Sequence, residues 1–368
     1  MKIKITALAC SLLLGFLFAS CGKEEKYEIK KGINISHWLS QSTKRGSERE
    51  AYFTEKDVAY LAGLGYDHLR IPIDEEQMFL TNGSMDTEAF QLLHNALGWC
   101  GKHNLKALVD LHILRSHHFN ASEKPLFTDP KAQEQFYECW RKISGELKKY
   151  PNSMVAYELM NEPVADDPET WNVIVNKCAT VVRELEPYRT IVIGSNRWQN
   201  YATVRDLRLP ENDPNIIISF HYYEPFLLTH YLAQWTYLKN YRGPVHYPGI
   251  VATESDLATQ PDSVSAPLKD WSTRDYNKDK IREDFQQVLD VAAKYKLPVY
   301  CGEFGCIFTT PEEDKIRWYR DMCSLFQEMG IAYASWDYKG GFGIRSREGQ
   351  EDDMIEALTG TRPLPLAK

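Results

Sequence analysis

The sequence predicts an α/β protein in which eight parallel strands close into a single-domain (β/α)8 barrel of the TIM type. Short β-prone apolar runs alternate with segments whose apolar residues recur every three or four positions, the spacing of one helix face. This alternation favours a closed parallel barrel over an open sheet. The 368 residues are enough for one barrel with insertions, and no linker rich in Gly, Ser or Pro follows residue 30.

Each predicted strand is a short apolar run followed by a polar or turn-forming residue. The third run is almost continuously apolar, as expected for a strand that is covered on both faces. In chain order the eight runs are Gly32–Ser36, His68–Pro72, Leu105–Leu111, Met154–Met160, Thr190–Gly194, Ile216–Phe220, Pro298–Gly302 and Ile331–Trp336.

The predicted helices are apolar stripes at helical spacing between these runs. The first begins at Thr54, and Asp57 three positions later completes a capping-box pattern. The later stripes lie at Phe90–Cys100, Phe136–Leu147, Trp171–Leu185, Ile281–Ala292 and Ile316–Phe326. One connection, Glu224 to Asp279, contains no clean strand. Because a loop of that length is usually functional and this one follows the sixth strand, we expect it on the active face of the barrel.

The first twenty residues have the pattern of an export signal. Lys2 and Lys4 precede an apolar core that is too short for a comfortable membrane span. Phe18-Ala19-Ser20-Cys21 resembles a bacterial lipobox, and the acidic residues after it resemble the export tag of Bacteroidetes lipoproteins. The prediction is a signal peptide at 1–20, lipidation of Cys21, a tether at 21–30 and a catalytic barrel at 31–368. An ordinary signal peptide is the alternative.

This export signal predicts an outer-membrane lipoprotein, at the cell surface or in the periplasm, that contacts the membrane through its anchor alone. The formal net charge of −8 becomes more negative once residues 1–20 are removed. So acidic a surface argues against a nucleic-acid partner and suits a neutral substrate. The oligomeric state stays open.

The cysteines do not form a predicted disulfide framework. Cys301 and Cys306 bracket Glu303, and we interpret them as packing residues while leaving a disulfide open, since an oxidising compartment would permit one. No His or further Cys pair completes a tetrahedral metal set. The sequence therefore predicts no metal and no cofactor.

Polar residues follow the predicted strands at the end where a barrel keeps its chemistry. Glu162 ends the fourth strand and Glu303 the seventh, and two carboxylates facing one cleft are the minimum for cleaving a glycosidic bond. The other strand-end residues are Arg70, Asp110, His112, Asn161, Asn196, Trp198, His221, Tyr223, Trp336 and Asp337.

This constellation resembles glycoside hydrolase family 5, a family of retaining β-glycosidases of the barrel type that includes cellulases and endoglucanases. The resemblance covers nearly the whole mature chain. It rests on the segments Gly32–Leu39, Arg70–Pro72, Asp110–His112, Asn161–Pro163, His221–Pro225, Gly302–Gly305 and Trp336–Gly343.

The resemblance implies that Glu162 is the general acid and then the general base, and that Glu303 is the nucleophile. Their carboxyl groups should then lie about 5–5.5 Å apart. The supporting roles that it implies are donors to the nucleophile (Arg70, Tyr223), a contact to the sugar 2-hydroxyl (Asn161), orientation of the acid (His221), a sugar contact (His112) and a subsite floor (Trp336).

Structural readings remain open for several of these residues. Arg70 and His112 could be satisfied structural groups, and Trp198 is as consistent with packing as with sugar stacking, as is Trp38. Glu158 is interpreted as a supporting polar group. His117 and His118 resemble a metal pair only superficially and are interpreted as loop residues.

The predicted function is a retaining β-glycoside hydrolase acting on a β-1,4-glucan. β-Mannan, xyloglucan and an exo-acting β-1,3-glucanase specificity are alternatives on the same mechanism, and transglycosylation shares its first half-reaction. A non-catalytic glycan-binding surface lipoprotein is the alternative class, because such a protein needs aromatic side chains but not both carboxylates.

Overall fold

A computed structural model describes residues 26–346 and 349–363 and confirms the (β/α)8 barrel. The eight strands close in the order β1-β8-β7-β6-β5-β4-β3-β2, and every neighbouring pair is parallel. Their bounds are Lys31–Asn34 (β1), His68–Asp74 (β2), Lys106–Ile113 (β3), Val155–Glu158 (β4), Ile191–Gly194 (β5), Ile216–Tyr222 (β6), Val299–Phe304 (β7) and Ala332–Ser335 (β8).

Six long helices lie where the apolar stripes predict them, and a seventh, Asp352–Thr359, was not predicted. The first begins with the expected capping box, in which the Asp57 carboxylate accepts hydrogen bonds from the backbone N–H and the hydroxyl of Thr54. The seven long helices are Glu55–Gly63 (α1), Thr87–Lys102 (α2), Pro130–Leu147 (α3), Pro168–Leu185 (α4), Lys278–Tyr295 (α5), Glu312–Met329 (α6) and Asp352–Thr359 (α7). Shorter helical pieces are Ser47–Tyr52, Glu75–Met78, Pro125–Phe127, Asn196–Gln199 and Tyr201–Asp206.

The alternation of strand and helix is interrupted between β5 and β6. That connection contains the turn Asn196–Gln199 and a 3-10 helix at Tyr201–Asp206 instead of a long helix. Within the turn, Arg197, Trp198 and Gln199 have φ values of 56°, 59° and 52°. Consecutive left-handed residues cannot continue a right-handed helix, so this connection is a shaped loop at the active end of the barrel.

The long connection after β6 is built from short pieces and packs on its neighbours. Its helical turns and paired strands are Phe226–Thr229, Tyr237–Asn240, Gly249–Ile250, Glu254–Ala258, Asp262–Ser265, Ala266–Thr273 and Asp275–Tyr276. The Trp318 indole donates to the backbone oxygen of Glu224 at 3.0 Å, and the Tyr247 hydroxyl donates to Asp321 at 2.8 Å. These two hydrogen bonds join the connection to α6 and hold it beside the seventh strand.

The N-terminal end of the barrel is filled by apolar side chains. Tyr27 is buried there with a layer that the strands contribute, comprising Leu108, Ala156, Val192, Ile217, Tyr300 and Ala334. A cavity of about 1380 Å³ opens on this face, lined among others by Tyr27, Thr190 and Tyr333. It lies at the opposite end from the strand-end polar residues and is therefore separate from the candidate active site.

Several predictions concern residues 1–25, which lie outside the described residues. These are the signal peptide, the lipidation of Cys21 and most of the tether. Among the described residues, none of the helices is long and apolar enough to cross a membrane. Cys301 and Cys306 are separate buried thiols.

Candidate active site

Arg70 is the centre of the polar residues at the strand ends. It is completely buried, and its guanidinium donates from Nε to Glu158 Oε2 at 2.7 Å and from Nη1 to Glu303 Oε1 at 2.7 Å. Nη2 donates to Asn161 Oδ1 at 2.9 Å and lies 3.1 Å from Asp110 Oδ2. The planar guanidinium therefore holds side chains from β3, β4 and β7 in one fixed arrangement.

One guanidinium faces three buried carboxyl groups in this cluster. Burial raises the pKa of Asp110 to about 7, although the charge of Arg70 acts to lower it. Burial also raises the pKa of Glu158, with Arg70 again opposing. Desolvation of a charge is costly, so burial acts against ionisation of these carboxyl groups and the Arg70 guanidinium opposes that effect.

Glu162 and Glu303 face each other across His221. The His221 Nδ1 lies 3.0 Å from Glu162 Oε1 and 3.7 Å from Glu303 Oε2. One ligand atom from each of the three residues lies within 4.8 Å of both others. Tyr223 donates its hydroxyl to Glu303 Oε2 at 2.9 Å.

The two carboxyl groups differ in how their neighbours change the pKa values that burial raises. Burial and the nearby charge of Glu303 raise the pKa of Glu162 well above its ordinary range, although the charge of Arg70 acts to lower it. Burial also raises the pKa of Glu303, but Arg70, His112 and the Tyr223 hydroxyl all act to lower it. A proton shared by this close pair therefore resides on Glu162, and the charge resides on Glu303.

His221 is neutral beside this pair. Burial and the charge of Arg70 hold its pKa well below the ordinary value. The three-residue set of Glu162, His221 and Glu303 has spacing that a metal ion could use. The guanidinium of Arg70 already supplies a positive charge to Glu303 from the other side.

His112 and Trp336 form a flat wall next to the carboxylates. Their rings are stacked, with centroids 5.5 Å apart and an interplanar angle of 6°. Asp110 Oδ2 lies 2.7 Å from His112 Nδ1, and burial lowers the pKa of His112 to about 3. Asn161 Nδ2 lies 3.4 Å from His112 Nε2, which brings Asn161 onto the same wall.

The structure separates the two tryptophans whose interpretation was open. Trp38 is completely buried and donates its indole N–H to the Arg49 backbone oxygen at 2.9 Å, so it is a core residue. Trp198 is 44% exposed on the turn after β5, and its indole N–H lies 3.3 Å from the Phe119 oxygen. Trp198 stays outside the Arg70 cluster, at the rim of the barrel.

Sequence reasoning missed two side chains that contact the backbone of Glu162. Gln199 is completely buried and its Oε1 accepts a hydrogen bond from the Glu162 N–H at 2.9 Å. His117 was interpreted only as a loop residue, but its Nε2 donates to the Glu162 carbonyl at 3.1 Å. Both residues lie several positions beyond a strand end, His117 after β3 and Gln199 after β5, and the one available signal was a His in the loop after the third strand.

Comparisons with known proteins agree with this geometry. The sequence profile described as Cellulase (glycosyl hydrolase family 5) matches residues 29–341. The chain belongs to glycosyl hydrolase family 5.

Characterised relatives and solved structures support this family 5 assignment across most of the chain. Endoglucanase C of Acetivibrio thermocellus is 31% identical over 318 residues, which cover 84% of this chain and 91% of that protein. Cellodextrinase A of Ruminococcus flavefaciens is 28% identical over 308 residues, covering 83% and 84%. A solved endoglucanase structure superposes with a TM-score of 0.71 at 27% identity, covering 90% of this chain and 97% of that one. A hyperthermophilic endo-β-1,4-glucanase solved in complex with substrate has the same TM-score and coverage at 26% identity.

Family 5 membership makes this chain a β-glycoside hydrolase of the glucanase kind. The glucan-bearing cleft of such an enzyme lies at the C-terminal ends of the strands, where the Arg70 cluster is found.

Proposed function

We propose that this family 5 protein is a retaining β-glycoside hydrolase that cleaves β-1,4-glucans by double displacement. The observation that carries the proposal is the approach of the Glu162 and Glu303 carboxylate oxygens to within 4.8 Å. Retaining glycosidases hold their carboxyl groups about 5–5.5 Å apart, whereas inverting enzymes leave about 6.5–9.5 Å for a water molecule.

In the first half-reaction Glu303 is the nucleophile. One of its carboxylate oxygens bonds to the anomeric carbon while the bond from that carbon to the glycosidic oxygen breaks. Glu162 transfers its proton to the departing oxygen, and its raised pKa keeps that proton available. The hydrogen bonds from Arg70 and Tyr223 keep Glu303 charged and aimed.

In the second half-reaction Glu162 is the base. Its carboxylate removes a proton from water, the water oxygen bonds to the anomeric carbon, and the bond to Glu303 breaks. Net retention of configuration follows from two inversions at one carbon. A sugar hydroxyl in place of water would give transglycosylation by the same chemistry.

The remaining residues form the subsite in which the cleaved sugar lies. Trp336 and His112 present the stacked wall, and Asn161 is positioned by Arg70 to meet the sugar 2-hydroxyl. A hydrogen bond to that hydroxyl strengthens as the transition state forms. Trp198 at the rim has an exposed ring that could stack on a sugar outside this subsite.

The β-1,4-glucan substrate is inferred from the relatives. Two of them are named endoglucanase C and cellodextrinase A, and a similar solved structure is described as an endo-β-1,4-glucanase. β-Mannan differs from these chains in configuration, β-1,3-glucan in linkage and xyloglucan in its side chains, and all three would use the same two carboxylates.

A polysaccharide panel with product sizing tests this proposal. Wild-type protein is expected to release short oligosaccharides from a β-1,4-glucan, and ¹H NMR is expected to detect the β-anomer first. Glu303→Gln is the negative control, and its kcat should be at least about 10⁴-fold lower than that of the wild type. Initial release of the α-anomer would contradict the retaining mechanism. If the wild type and Glu303→Gln gave the same amount of product from every polymer, the result would favour a non-catalytic glycan-binding protein.

A further inference from the structure

Glu162 has a backbone conformation that requires external support. Its φ of 45° lies in the left-handed region, which is unfavourable for a non-glycine residue. Such a conformation persists only where the surroundings hold it in place. The position of the Glu162 carboxyl group therefore depends on the groups that bind its peptide units.

Two buried side chains bind those peptide units from opposite directions. Gln199 Oε1 accepts from the Glu162 N–H at 2.9 Å, and His117 Nε2 lies 3.1 Å from the Glu162 carbonyl oxygen. Burial lowers the pKa of His117 to about 4, so the ring is neutral and donates from Nε2. Both peptide groups of Glu162 are thus satisfied by side chains rather than by strand pairing.

The turn after β5 runs alongside the segment after β4 and contacts it at successive residues. The Asn196 side chain accepts from the Ala165 N–H at 2.8 Å and donates to the Ala165 carbonyl at 2.9 Å. The Trp198 N–H donates to the Pro163 carbonyl at 3.3 Å. Gln199 completes this series at Glu162, so the turn takes the place of a paired strand.

Gln199 also connects Glu162 to the group that holds Glu303. Its Nε2 donates to Glu158 Oε1 at 3.0 Å, and Glu158 is bound by Arg70 through two hydrogen bonds. Arg70 donates to Glu303 at 2.7 Å. An unbroken series of short contacts behind the cleft therefore joins the two catalytic carboxylates.

The position of Gln199 is fixed by packing as well as by hydrogen bonds. A Cβ atom at Gly194 would overlap the Gln199 carboxamide, so the last residue of β5 leaves space for this side chain alone. Gln199 itself has a left-handed φ of 52°.

We infer that Gln199 is a positioning residue that sets the place of the acid/base Glu162 relative to the nucleophile Glu303. This inference rests on the proposed function, since it presumes those two roles. It predicts that loss of the Gln199 carboxamide impairs proton donation by Glu162 more than attack by Glu303. A displacement of about 1 Å in a catalytic group can cost about 10²-fold in rate.

The test compares two substrates in Gln199→Met, which keeps the side-chain length and removes the amide. Cello-oligosaccharides need protonation of the leaving oxygen, whereas 2,4-dinitrophenyl β-cellobioside releases a stable anion and does not. The value of kcat/KM reports bond cleavage for both. We expect kcat/KM to fall by roughly 10–100-fold on the oligosaccharide and far less on the aryl glycoside. We also expect the basic limb of the oligosaccharide pH profile to shift.

Gln327→Met on α6 is the matched control, because Gln327 is exposed and lines the cavity at the opposite, N-terminal face of the barrel. His117→Phe is the second variant, since it releases the Glu162 carbonyl and keeps an aromatic ring against Phe127. It should reproduce the substrate-dependent loss if Gln199→Met does not fold. Equal losses on both substrates, or no loss, in the folded variants would overturn the inference. A wild-type protein that is inactive on both substrates would instead refute the proposed function.

Discussion

Asp74 is a buried acid outside the proposed catalytic pair, and its environment makes a testable contribution to stability. Its Oδ2 accepts from the Gln41 N–H at 2.7 Å, while its buried Oδ1 has no hydrogen-bond partner among the described residues. Burial raises the pKa of Asp74 to about 7, and the charges of Asp110 and Glu76 contribute to the rise. The folded protein therefore binds a proton here that the unfolded chain, with a pKa of about 3.9, releases.

Because the pKa is raised in the folded state, stability from this site is complete below about pH 4 and is lost as the pH rises towards 7. Asp74→Asn removes the titration and preserves an acceptor for Gln41. Between pH 5 and pH 8 the unfolding free energy of the wild type should therefore fall by on the order of 3 kcal/mol relative to that of the variant. Denaturant unfolding at several pH values measures this. Asp270→Asn, at a side chain that is 85% exposed, is the control. Parallel curves for Asp74→Asn and wild type would contradict the prediction.

At the same scale, sequence predicts some site residues better than others. Glu162, Glu303 and Arg70 were predictable because parallel strands of a barrel all present their C-terminal ends on one face. The contacts of Gln199 and His117 were not, since they depend on left-handed turns and on which loop lies over which peptide group. No pattern of residue types in the sequence indicates which loop will contact which peptide group.

At the scale of elements, the strand ends were predicted to within two residues and the loops were not. β2 continues to Asp74 and β6 to Tyr222, beyond the predicted ends at Pro72 and Phe220. The connection after β5 contains a turn and a 3-10 helix where the barrel rhythm suggests a long helix. Apolar periodicity reports burial against the core, and these loops are shaped by local contacts instead.

We predict that the connection after β6 helps to bind long substrates. Trp235 is 61% exposed, and its ring lies 6.4 Å from the Phe342 ring, which itself lies 6.0 Å from the Tyr223 ring. An exposed indole this close to the cleft offers a flat apolar face to a sugar outside the cleavage subsite. Trp235→Ala should raise KM on a long β-1,4-glucan roughly tenfold, equivalent to about 1.4 kcal/mol, and leave an aryl β-cellobioside unaffected.

Tyr188→Ala is the control for this prediction. Tyr188 is 66% exposed but lines the cavity at the opposite, N-terminal face of the barrel. Steady-state kinetics on polymer and aryl glycoside with both variants separates the two faces. An equal rise in KM for Trp235→Ala on both substrates would place the ring in the cleavage subsite instead.

At the scale of the whole molecule, the two ends of the barrel have different tasks. The chain enters at the N-terminal face, where Tyr27 is buried among the strands and Asp67 accepts from the backbone N–H groups of Lys30 and Lys31 at 3.2 and 3.3 Å. The cleft with Glu162 and Glu303 lies at the other end. A point of attachment before Lys26 would therefore leave the cleft facing away from it.

We propose that this attachment is a lipid on Cys21, as the lipobox pattern at residues 18–21 predicts. In a bacterial host that processes lipoproteins, radioactive palmitate should label the wild-type protein and Cys10→Ser, and should not label Cys21→Ser. Because Lys26 and the cleft lie at opposite ends of the barrel, kcat/KM on a soluble oligosaccharide should be the same for all three proteins in detergent extracts. Labelling of Cys21→Ser would refute the anchor, and a selective loss of activity in that variant would refute the independence of the two ends.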